Sequence, residues 1–305
     1  MKSYAVQTVR PLEAGVVYTF SDCAEPVCIV RSGDHLVMET LDCYSGQIRS
    51  SADLGNLDRS RINPATGPIR IEGAKPGDIL CITIDAIELA ATGIIVAGNG
   101  IGAFGAEIEG RVCRIVHIVG GSVKFNDYLS IQANPMIGTI GVAPAGGSIS
   151  TKDPGAHGGN LDSALIRAGA RVYLPVFQDG ALLAIGDVHA VMGDGEVGGT
   201  GVETGGTVML AVDIIKGSRI HNPVLEAGEA WVTIASAKTL DGAVDHARLD
   251  MFRLLQQSLD LPDVELAMLM SIGGSSGICQ IVNSMKTARF TMPMSLCGRR
   301  LLPHT

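Results

Sequence analysis

Residues 78–88 read DILCITIDAIE and give the clearest indication of the fold class. The apolar residues of this stretch form a nearly continuous run instead of alternating cleanly with polar ones, which indicates a strand covered on both faces. Similar short runs recur at 27–30, 35–41, 69–71 and 112–119, with Gly, Pro, Asn or Asp between them. This rhythm predicts a mainly β protein in which one sheet packs against another.

The composition agrees with this fold class. The chain has 305 residues, enough for one large domain or two lobes, and 46% apolar against 18% charged residues excludes a disordered protein. Its 39 glycines follow no three-residue period, so they exclude collagen and favour strands joined by tight turns. We expect a single domain over residues 1–305, and the Gly-, Ala-, Ser- and Pro-rich segment 134–159 is the expected seam if it has two lobes.

Helices are expected mainly near the C-terminus. Apolar positions within residues 245–259 fall on one helical stripe, and a second helix is expected after Pro262. One or two helical turns are also predicted over residues 162–168, whereas residues 278–294 are predicted to be extended. The architecture is therefore β-dominated (α+β), with a helical layer near the C-terminus.

Charge and segment composition exclude several classes of partner. The formal net charge is −8, and the only dense basic pair is Arg299-Arg300, so we expect no nucleic-acid partner. No run reaches the roughly 18 apolar residues of a membrane span, and residues 1–10 contain no signal-peptide core. We therefore expect a cytoplasmic protein that does not act at a membrane. The seven cysteines show neither a disulfide framework nor the spacing of a thiolate zinc site.

The densest group of polar residues reads GDVHAVMGDGE at residues 186–196. Asp187 and His189 stand two apart on a predicted strand, so both side chains point to one face. Asp194 and Glu196 stand two apart in the glycine loop that follows, where glycine lets the backbone fold them back toward the first pair. A carboxylate beside an imidazole suits a divalent metal, or a histidine base oriented by an acid.

A lone histidine on a strand is more often a core residue bonded to a carbonyl, but the whole group argues otherwise. Acidic side chains are rarely buried unpaired, and several of them in one strand and its loop cost free energy that a cation would relieve. Glu203 adds a further acid from the glycine-rich run 198–206. That run does not predict a phosphate loop, because no Lys follows it and no helix pattern opens there.

A second polar group reads DPGAHGGNLD at residues 153–162. His157 precedes two glycines, and Asn160 and Asp162 follow them, so one tight loop offers an imidazole, an amide and a carboxylate. Alternatively, Asn160 or Asp162 caps the short helix predicted after it.

These motifs resemble the acetamidase/formamidase family, which is distinct from the amidase-signature and nitrilase-like enzymes. The matching motifs follow the order of the chain: Gly33-Asp34, Glu39-Thr40, residues 153–162, YLPV at 173–176, residues 186–197, GTGVE at 199–203, GICQ at 277–280 and KTAR at 286–289. The resemblance implies hydrolysis of small aliphatic amides, formamide or acetamide, to the acid and ammonia. It also implies a jelly-roll-like β-sandwich with additional strands and helices, a homo-oligomer, and divalent cations near the acidic loop.

Amide hydrolysis requires an activated water, a polarised carbonyl and a protonated leaving nitrogen, and a metal can supply the first two. Our hypothesis assigns a role to each residue to which the resemblance points. The expected metal ligands are His157, Asp162, Asp187, His189 and Asp194, the expected catalytic bases are Glu203 and Glu196, and the expected substrate-binding residues are Asn160, Gly158 and Gly159. The mixture of imidazole and carboxylate suits zinc, whereas Asp194 and Glu196 alone would suit calcium.

Two alternatives remain open from the sequence. Ser275 and Ser276 lie in GGSSG at residues 273–277, which superficially suggests a nucleophile turn, but the strand–turn–helix order of a hydrolase elbow does not surround them. The other alternative is a non-catalytic sandwich that uses its acidic loop for a structural cation and binds a small amide or a sugar. Release of ammonia from formamide or acetamide separates the enzyme from the binding protein.

Overall fold

The structure is a computed structural model that describes residues 6–10, 15–298 and 301–302, so the Arg299-Arg300 pair lies outside the described residues. Strands dominate it. In chain order they are β1 Val6–Val9, β2 Val16–Val17, β3 Thr19–Ser21, β4 Cys28–Arg31, β5 His35–Thr40, β6 Ala65–Glu72, β7 Ile79–Leu89, β8 Thr92–Gly98, β9 Arg111–Val119, β10 Ser122–Lys124, β11 Ser130–Gln132, β12 Met136–Gly141, β13 Ser148–Ser150, β14 Pro154–Gly155, β15 Gly158–Asn160, β16 Arg171–Pro175, β17 Leu183–His189, β18 Glu203–Thr204, β19 Gly206–Ile215, β20 Val224–Ala227, β21 Ala230–Ala237, β22 Ser275–Gln280 and β23 Lys286–Pro293.

The helices lie where the sequence places them, near the C-terminus. They are α1 Leu240–Ser258, α2 Asp263–Gly273 and α3 Met294–Cys297, and two short 3-10 helices cover Ser51–Asn56 and Arg59–Arg61. The helix predicted over residues 245–259 begins earlier, because the Thr239 side chain accepts a hydrogen bond from the Gly242 N–H and caps it. The second helix begins directly after Pro262, as predicted.

The helical turns predicted over residues 162–168 do not form, and that prediction is wrong. Asp162 has a left-handed φ of 46°, which a helix start does not allow. The Asp162 N–H donates to the Gly138 carbonyl, and the Ile137 N–H donates to the Ile166 carbonyl. The segment forms one hydrogen-bonded turn, from the Ile166 N–H to the Ser163 carbonyl, and is otherwise fixed against β12 instead of forming a helix.

Two large sheets and one small one contain the strands. The first sheet has nine strands in the order β1-β5-β19-β7-β16-β20-β21-β23-β22. The second has twelve, along the path β11-β10-β9-β8-β18-β17-β12-β15-β14, with β6 also pairing β17, β2 and β4. Strands β3 and β13 form the small sheet. The segment 134–159 supplies β12 to β15, so it contributes strands to the second sheet and to the small one.

The two large sheets pack face to face, which confirms the mainly β sandwich. Leu80 and Ile82 of the first sheet share one buried cluster with Ile69, Ile140 and Leu183 of the second. Full burial of each such side chain contributes about 1.5–3 kcal/mol to stability. The sheets therefore enclose the main core of the protein.

Strand β7 is covered on both faces, as residues 78–88 predict. Leu80 and Ile82 point into the sandwich, whereas Ile79 and Cys81 point to the outside of the first sheet. There they pack with Met251 and other apolar residues of α1, which forms the predicted helical layer. Among the described residues, no helix combines the length and the apolar character that crossing a bilayer requires.

Candidate functional site

One row of residues across the second sheet organises the site. On neighbouring antiparallel strands, Ile115 of β9 pairs with Ile94 of β8, and Ile94 pairs with Glu203 of β18. Glu203 in turn pairs with His189 of β17, which pairs with Met136 of β12. Residues directly opposite each other place their side chains on the same face of the sheet. The ladder thus brings Glu203 to His189 and aligns both with the two isoleucines.

This row faces away from the sandwich core. Val188 and Ile137 stand next to His189 and Met136 on their strands, and both belong to the core between the sheets. Successive side chains of a strand point to opposite faces, so the row points to the other side. Loops cover the row there, and His189 and Glu203 are buried.

Two loops bring further acids to His189. Donor atoms of Asp162, His189 and Glu196 all lie within 4.8 Å of one another. On the same strand as His189, the Asp187 Oδ1 lies 3.6 Å from the His189 Nε2, and the Glu203 Oε2 lies 3.1 Å from that nitrogen. The structure therefore gathers these five residues, predicted from three separate parts of the sequence, into one buried cluster.

The backbone is strained at three of these acids. Asp162, Asp187 and Glu196 have φ values of 46°, 57° and 48°, in the left-handed region that side chains rarely adopt. Such conformations persist only where the surrounding structure enforces them, and they concentrate at functional sites. The left-handed backbone turns these three carboxylates into the cluster, in directions that a regular strand would not give them.

Two glycines make room for the cluster. A Cβ on Gly138 would lie 2.5 Å from the Asp187 Oδ2 and 2.7 Å from the Asp162 Oδ1. A Cβ on Gly201 would lie 2.7 Å from the His189 Nδ1. Both positions exclude a side chain because the functional groups already occupy that space.

Two amide side chains orient the carboxylates. With its nitrogen turned toward the acids, the Asn160 amide donates to the Asp187 Oδ2 at 2.9 Å and to Asp162 at 3.2 Å, and its oxygen accepts from the Asn283 Nδ2 at 3.1 Å. The Asn283 Nδ2 also donates to the Asp162 Oδ2 at 2.9 Å. Asp162 is thus held by two amides, an arrangement typical of the residues behind a metal ligand.

His189 and Glu203 keep buried polar atoms without hydrogen bonds. The Glu203 Oε1 accepts from the Gly201 N–H at 3.0 Å. Within the described part of the chain, the Glu203 Oε2 and both ring nitrogens of His189 have no hydrogen-bond partner. The Glu203 Oε2 lies 3.1 Å from the His189 Nε2, but the angles of this contact are not those of a hydrogen bond. Buried polar atoms rarely stay unpaired, so a ligand is the expected partner here.

Burial and crowding shift the pKa values of the cluster. Burial, together with the Asp187 charge, raises the pKa of Asp162 to about 7. Burial raises the pKa of Glu203 to about 7 against the opposing effect of His189, and burial with the Asp162 charge raises that of Glu196 well above its ordinary value. Burial lowers the pKa of His189, but the Glu203 and Asp187 charges outweigh it and raise this pKa. A single imidazolium cannot balance four buried acids, so the cluster favours a cation.

A divalent metal fits this donor set. Zinc takes imidazole and carboxylate ligands, and two ligand atoms on a tetrahedral zinc lie about 3.3 Å apart. Asp162, His189 and Glu196 supply one imidazole and two carboxylates within 4.8 Å, a separation that small side-chain rotations close. Both ring nitrogens of His189 are without a hydrogen-bond partner among the described residues, which is a second reason to expect a metal here.

The structure places His157 outside this cluster. Its ring is buried and packs edge-on against Phe20, with 5.1 Å between the ring centroids. It belongs to neither group of potential metal ligands found among the described residues. Burial lowers the pKa of His157 to about 4, opposed only by the charge of Asp153. His157 is therefore a buried neutral imidazole, separate from the acids that the sequence associates with it.

Asp194 also stays outside the cluster, and the expected ligand role does not fit its position. Its carboxylate is half exposed and forms a two-pronged ion pair with Arg289, in which the Nη1–Oδ1 distance is 2.9 Å. The glycine loop folds Glu196 inward, whereas the Asp194 side chain stays half exposed. Asp194 and Glu196 stand two residues apart, but this spacing places two side chains on one face only in a strand, and these residues lie in a loop.

The glycines of the 153–162 loop serve close backbone packing. Gly158 and Gly159 lie on β15, opposite Gly141 and Ile140 of β12. A Cβ on Gly158 would lie 2.2 Å from the Ile140 carbonyl oxygen, so only glycine allows this approach. The structure shows this packing role for the two glycines.

The candidate nucleophiles Ser275 and Ser276 do not resemble a nucleophile turn. Both are exposed and pair with Thr291 and Phe290 in the ladder between β22 and β23. A regular strand replaces the sharp turn that exposes a nucleophile in hydrolases.

Sequence reasoning did not find three neighbours of the cluster. The Cys43 Sγ lies within 4.8 Å of carboxylate oxygens of Asp187 and Glu203, and burial raises its pKa well above the ordinary value. Asn283 and Gly138 are the other two neighbours that the sequence motifs do not predict. Nothing in the local sequence marks Cys43, whereas Asn283 follows the GICQ motif by three residues and could have been tested as part of it.

A cavity of about 510 Å³ opens beside the cluster. Residues 40–42, 46, 48 and 49 line one side of it, and Thr92, Ile94, Ile115, Glu203 and Gly205 line the other. Its volume falls within the range of small-molecule sites. Glu203 thus belongs both to the cluster and to the cavity wall.

Comparisons with known proteins agree on one family. A sequence model of the acetamidase/formamidase family matches residues 20–152 and 145–253. An acetamidase of Mycolicibacterium smegmatis is 28% identical over 291 residues, covering 72% of each chain. A solved structure of a predicted acetamidase/formamidase from Thermoanaerobacter tengcongensis superposes with a TM-score of 0.94 at 47% identity, covering 98% of this chain and 100% of that one. The solved acetamidase of Bacillus halodurans follows with a TM-score of 0.91, 40% identity, and coverage of 94% and 97%.

Proposed function

The chain belongs to the acetamidase/formamidase family, and we propose that its buried cluster hydrolyses small aliphatic amides to the carboxylic acid and ammonia with a metal-activated water. Amide hydrolysis is the activity that family membership supports. The observation that carries the metal is the buried His189, whose ring nitrogens have no hydrogen-bond partner among the described residues although acids surround it.

The metal would be held by His189, Asp162 and Glu196. When bound, the metal polarises the amide carbonyl and lowers the pKa of a water. Asn160 and Asn283 hold the Asp162 carboxylate in place. Asp187 lies beside the His189 Nε2 and accepts a hydrogen bond from the Asn160 amide, so it serves as a positioning residue. In this proposal Glu196 is a metal ligand and not the catalytic base that the sequence suggests.

Glu203 is the general base in this proposal. Its Oε1 is fixed by the Gly201 N–H, and its Oε2 lies 3.1 Å from the His189 Nε2. The Oε2 takes a proton from the attacking water as the C–O bond forms, and it delivers that proton to the amide nitrogen as the C–N bond breaks. Ammonia then leaves, and the acid remains to dissociate. Glu203 also lines the neighbouring cavity, through which we propose that the amide enters.

The direct test is ammonia release from formamide and acetamide before and after chelation. We expect chelation to abolish activity and added zinc to restore it. Glu203→Gln keeps the hydrogen-bond acceptor for Gly201 but cannot take a proton, so kcat should fall about 100- to 10,000-fold while bound metal stays unchanged. A folded, metal-free protein that releases ammonia at the parent rate would overturn the proposal. A metal-loaded protein that cleaves no amide would indicate the non-catalytic binding sandwich.

Zinc is the metal that the donor set favours, because an imidazole ligand is typical of zinc sites and calcium prefers oxygen ligands alone. Elemental analysis of the purified protein distinguishes the two. We also propose a cytoplasmic location, which the seven free cysteines support because the cytosol keeps thiols reduced.

We further propose a homo-oligomer. On α2, Val264, Met268 and Ile272 are exposed and follow one another at intervals of four residues, which places them on one helical face. An exposed apolar face of this kind is typical of a contact with another subunit. Light scattering on the parent and on Ile272→Glu measures the subunit number directly.

A further inference from the structure

We infer that Gln280 is a positioning residue of the proposed metal site, because it folds the loop 281–285 so that Asn283 can hold the Asp162 carboxylate. This inference rests on the proposed function, since it takes Asp162 as a metal ligand. It adds a path of contacts from β22 and β23 to that ligand. It also gives a role to the GICQ and KTAR motifs, which flank the loop.

The Gln280 side chain determines the shape of the loop. Gln280 is fully buried at the end of β22, and its Oε1 accepts from the Val282 and Asn283 N–H groups, both at 2.9 Å. Its Nε2 donates to the Met285 carbonyl at 2.7 Å and to the Thr287 Oγ1 at 2.9 Å. The amide thus uses both acceptor and both donor positions, and all four bonds go to the loop or to the strand after it.

Backbone pairing does not fix the loop by itself. Among the described residues, no backbone N–H of residues 282–285 donates to a backbone carbonyl. A backbone N–H that loses its partner in a protected site costs free energy, so the Gln280 oxygen favours the conformation in which it binds two of them. Lys286 adds a further contact, because its Nζ donates to the Asn283 carbonyl at 2.8 Å.

Asn283 connects this loop to the metal site. Its Nδ2 donates to the Asp162 Oδ2 at 2.9 Å, and the Asn160 oxygen accepts from the same nitrogen at 3.1 Å. Gln280 holds the Asn283 N–H and Lys286 holds its carbonyl, so the peptide groups on both sides of this residue are fixed. The amide therefore reaches Asp162 from a backbone that has little freedom to move.

The same segment is attached to the loop that carries Glu196. The Gly195 N–H donates to the Cys279 carbonyl at 2.8 Å, and the Ile281 N–H donates to the Gly195 carbonyl at 3.1 Å. The residues on either side of the buried amide thus pair with the residue before Glu196. The segment supports two of the three proposed ligands, one through the backbone and one through an amide side chain.

The zinc affinity of the folded protein, measured by competition with a chelator, tests the inference. Gln280→Met removes all four hydrogen bonds with a side chain of similar length, and Asn283→Ala removes the amide that reaches Asp162. Loss of a group that supports a metal ligand typically weakens metal binding about 10- to 100-fold, and we expect this loss from each variant. Because Gln280 acts through Asn283, the double variant should bind zinc at most about threefold more weakly than Asn283→Ala alone.

Gln178→Met is the matched control. The Gln178 Nε2 also holds a loop, through the Pro144 and Ala145 carbonyls at 3.1 and 2.9 Å. Neither Gln178 nor these partners belong to a group of potential metal ligands among the described residues. This variant should lose thermal stability and keep the zinc affinity of the parent.

Lys286→Met replaces Gln280→Met in the same cycle if the latter does not fold, because Lys286 is only half-buried. It removes one of the two contacts that fix the Asn283 backbone. Its zinc affinity should lie between that of the parent and that of Asn283→Ala, again with no further loss in the double variant.

The outcomes separate this inference from the proposed function. If Gln280→Met keeps the parent zinc affinity, or if its loss multiplies with that of Asn283→Ala, the positioning role is wrong, whether or not amides are cleaved. An equal loss of affinity in Gln178→Met also overturns it, because the loss would then follow general destabilisation. If the zinc-loaded parent cleaves no amide while the cycle behaves as expected, the proposed function fails and the positioning role stands. A parent that binds no zinc overturns both.

Discussion

Two buried histidines show how the same residue type acquires opposite properties. His189 and His157 both lie in the second sheet region, and neither has a hydrogen-bond partner on its ring nitrogens among the described residues. A glycine lies close to each ring. A Cβ on Gly201 would lie 2.7 Å from the His189 Nδ1, and a Cβ on Gly159 would lie 2.9 Å from the His157 Nε2. Burial and unpaired nitrogens are therefore common to both.

Their neighbours differ. His189 lies beside Asp187 and Glu203, whose charges raise its pKa, whereas His157 lies against Phe20, and burial lowers its pKa to about 4. The comparison teaches that an orphaned histidine indicates a metal site only where other donors converge on it. Four substitutions test this contrast, and they are given in decreasing order of the change that we expect.

Replacement of the two histidines should separate catalysis from packing. His189→Ala removes a proposed metal ligand and should lower both amide hydrolysis, about 1,000-fold or more, and the zinc content. His157→Leu should leave the zinc content unchanged, because the His157 ring belongs to neither group of potential metal ligands among the described residues. Zinc analysis and ammonia release on both folded variants check this. Loss of zinc from His157→Leu would show that the two histidines belong to one site.

The pH dependence of stability should reveal His157. Its folded pKa of about 4 is below the unfolded value of 6.5, so the unfolded state binds more protons between these pH values. The stability contribution is present above pH 6.5 and is lost as the pH falls toward 4, by about 3 kcal/mol. Urea unfolding of the parent and of His157→Leu at several pH values measures it, because other titrating groups cancel in the difference. Parallel pH profiles would contradict the assignment.

Gly201→Ala should tilt the His189 ring without removing any functional group. The added Cβ would lie 2.7 Å from the His189 Nδ1, so the ring has to move. Displaced supporting groups at metal sites typically reduce affinity or activity about 10- to 100-fold. Gly146→Ala is the control, since a Cβ there meets nothing within 4 Å. Equal kcat/KM values for the two variants would show that the ring has freedom to adjust.

Asp194→Asn should have the smallest effect. It weakens a half-exposed ion pair with Arg289, and such pairs contribute up to about 1 kcal/mol. We expect unchanged zinc content and unchanged ammonia release, with a small change in the midpoint of thermal unfolding. Loss of zinc would restore Asp194 to the ligand set that its sequence position suggests.

Local patterns predicted a large part of the fold. The apolar run at residues 78–88 predicted β7 with both faces covered, and the stripe at 245–259 predicted most of α1. Both predictions succeed because strand and helix periodicity depends on neighbours two to four residues away. The prediction over residues 162–168 failed because hydrogen bonds to β12, a distant strand, fix Asp162 in a left-handed conformation.

The candidate site was also only partly predictable from the sequence. Asp187 and His189 could be paired from their spacing, and the excess of acids could be read as a cation site. The sequence alone could not distinguish His157 from His189, since each stands near glycines and acids. It could not separate Asp194 from Glu196 either, because Arg289, the partner of Asp194, is distant in the chain.

The amino-acid sequence thus determined the β-dominated class, the helical layer, the family resemblance and the set of residues from which the site is built, because each depends on local pattern or on motif identity. Tertiary structure alone decided which of those residues meet. Strand pairing put Glu203 between His189 and Ile94, and three left-handed acids turned toward the same space. Pairing between distant strands and burial depend on the whole chain, so they separate the residues of the buried cluster from those that stay outside it, which the local sequence cannot do.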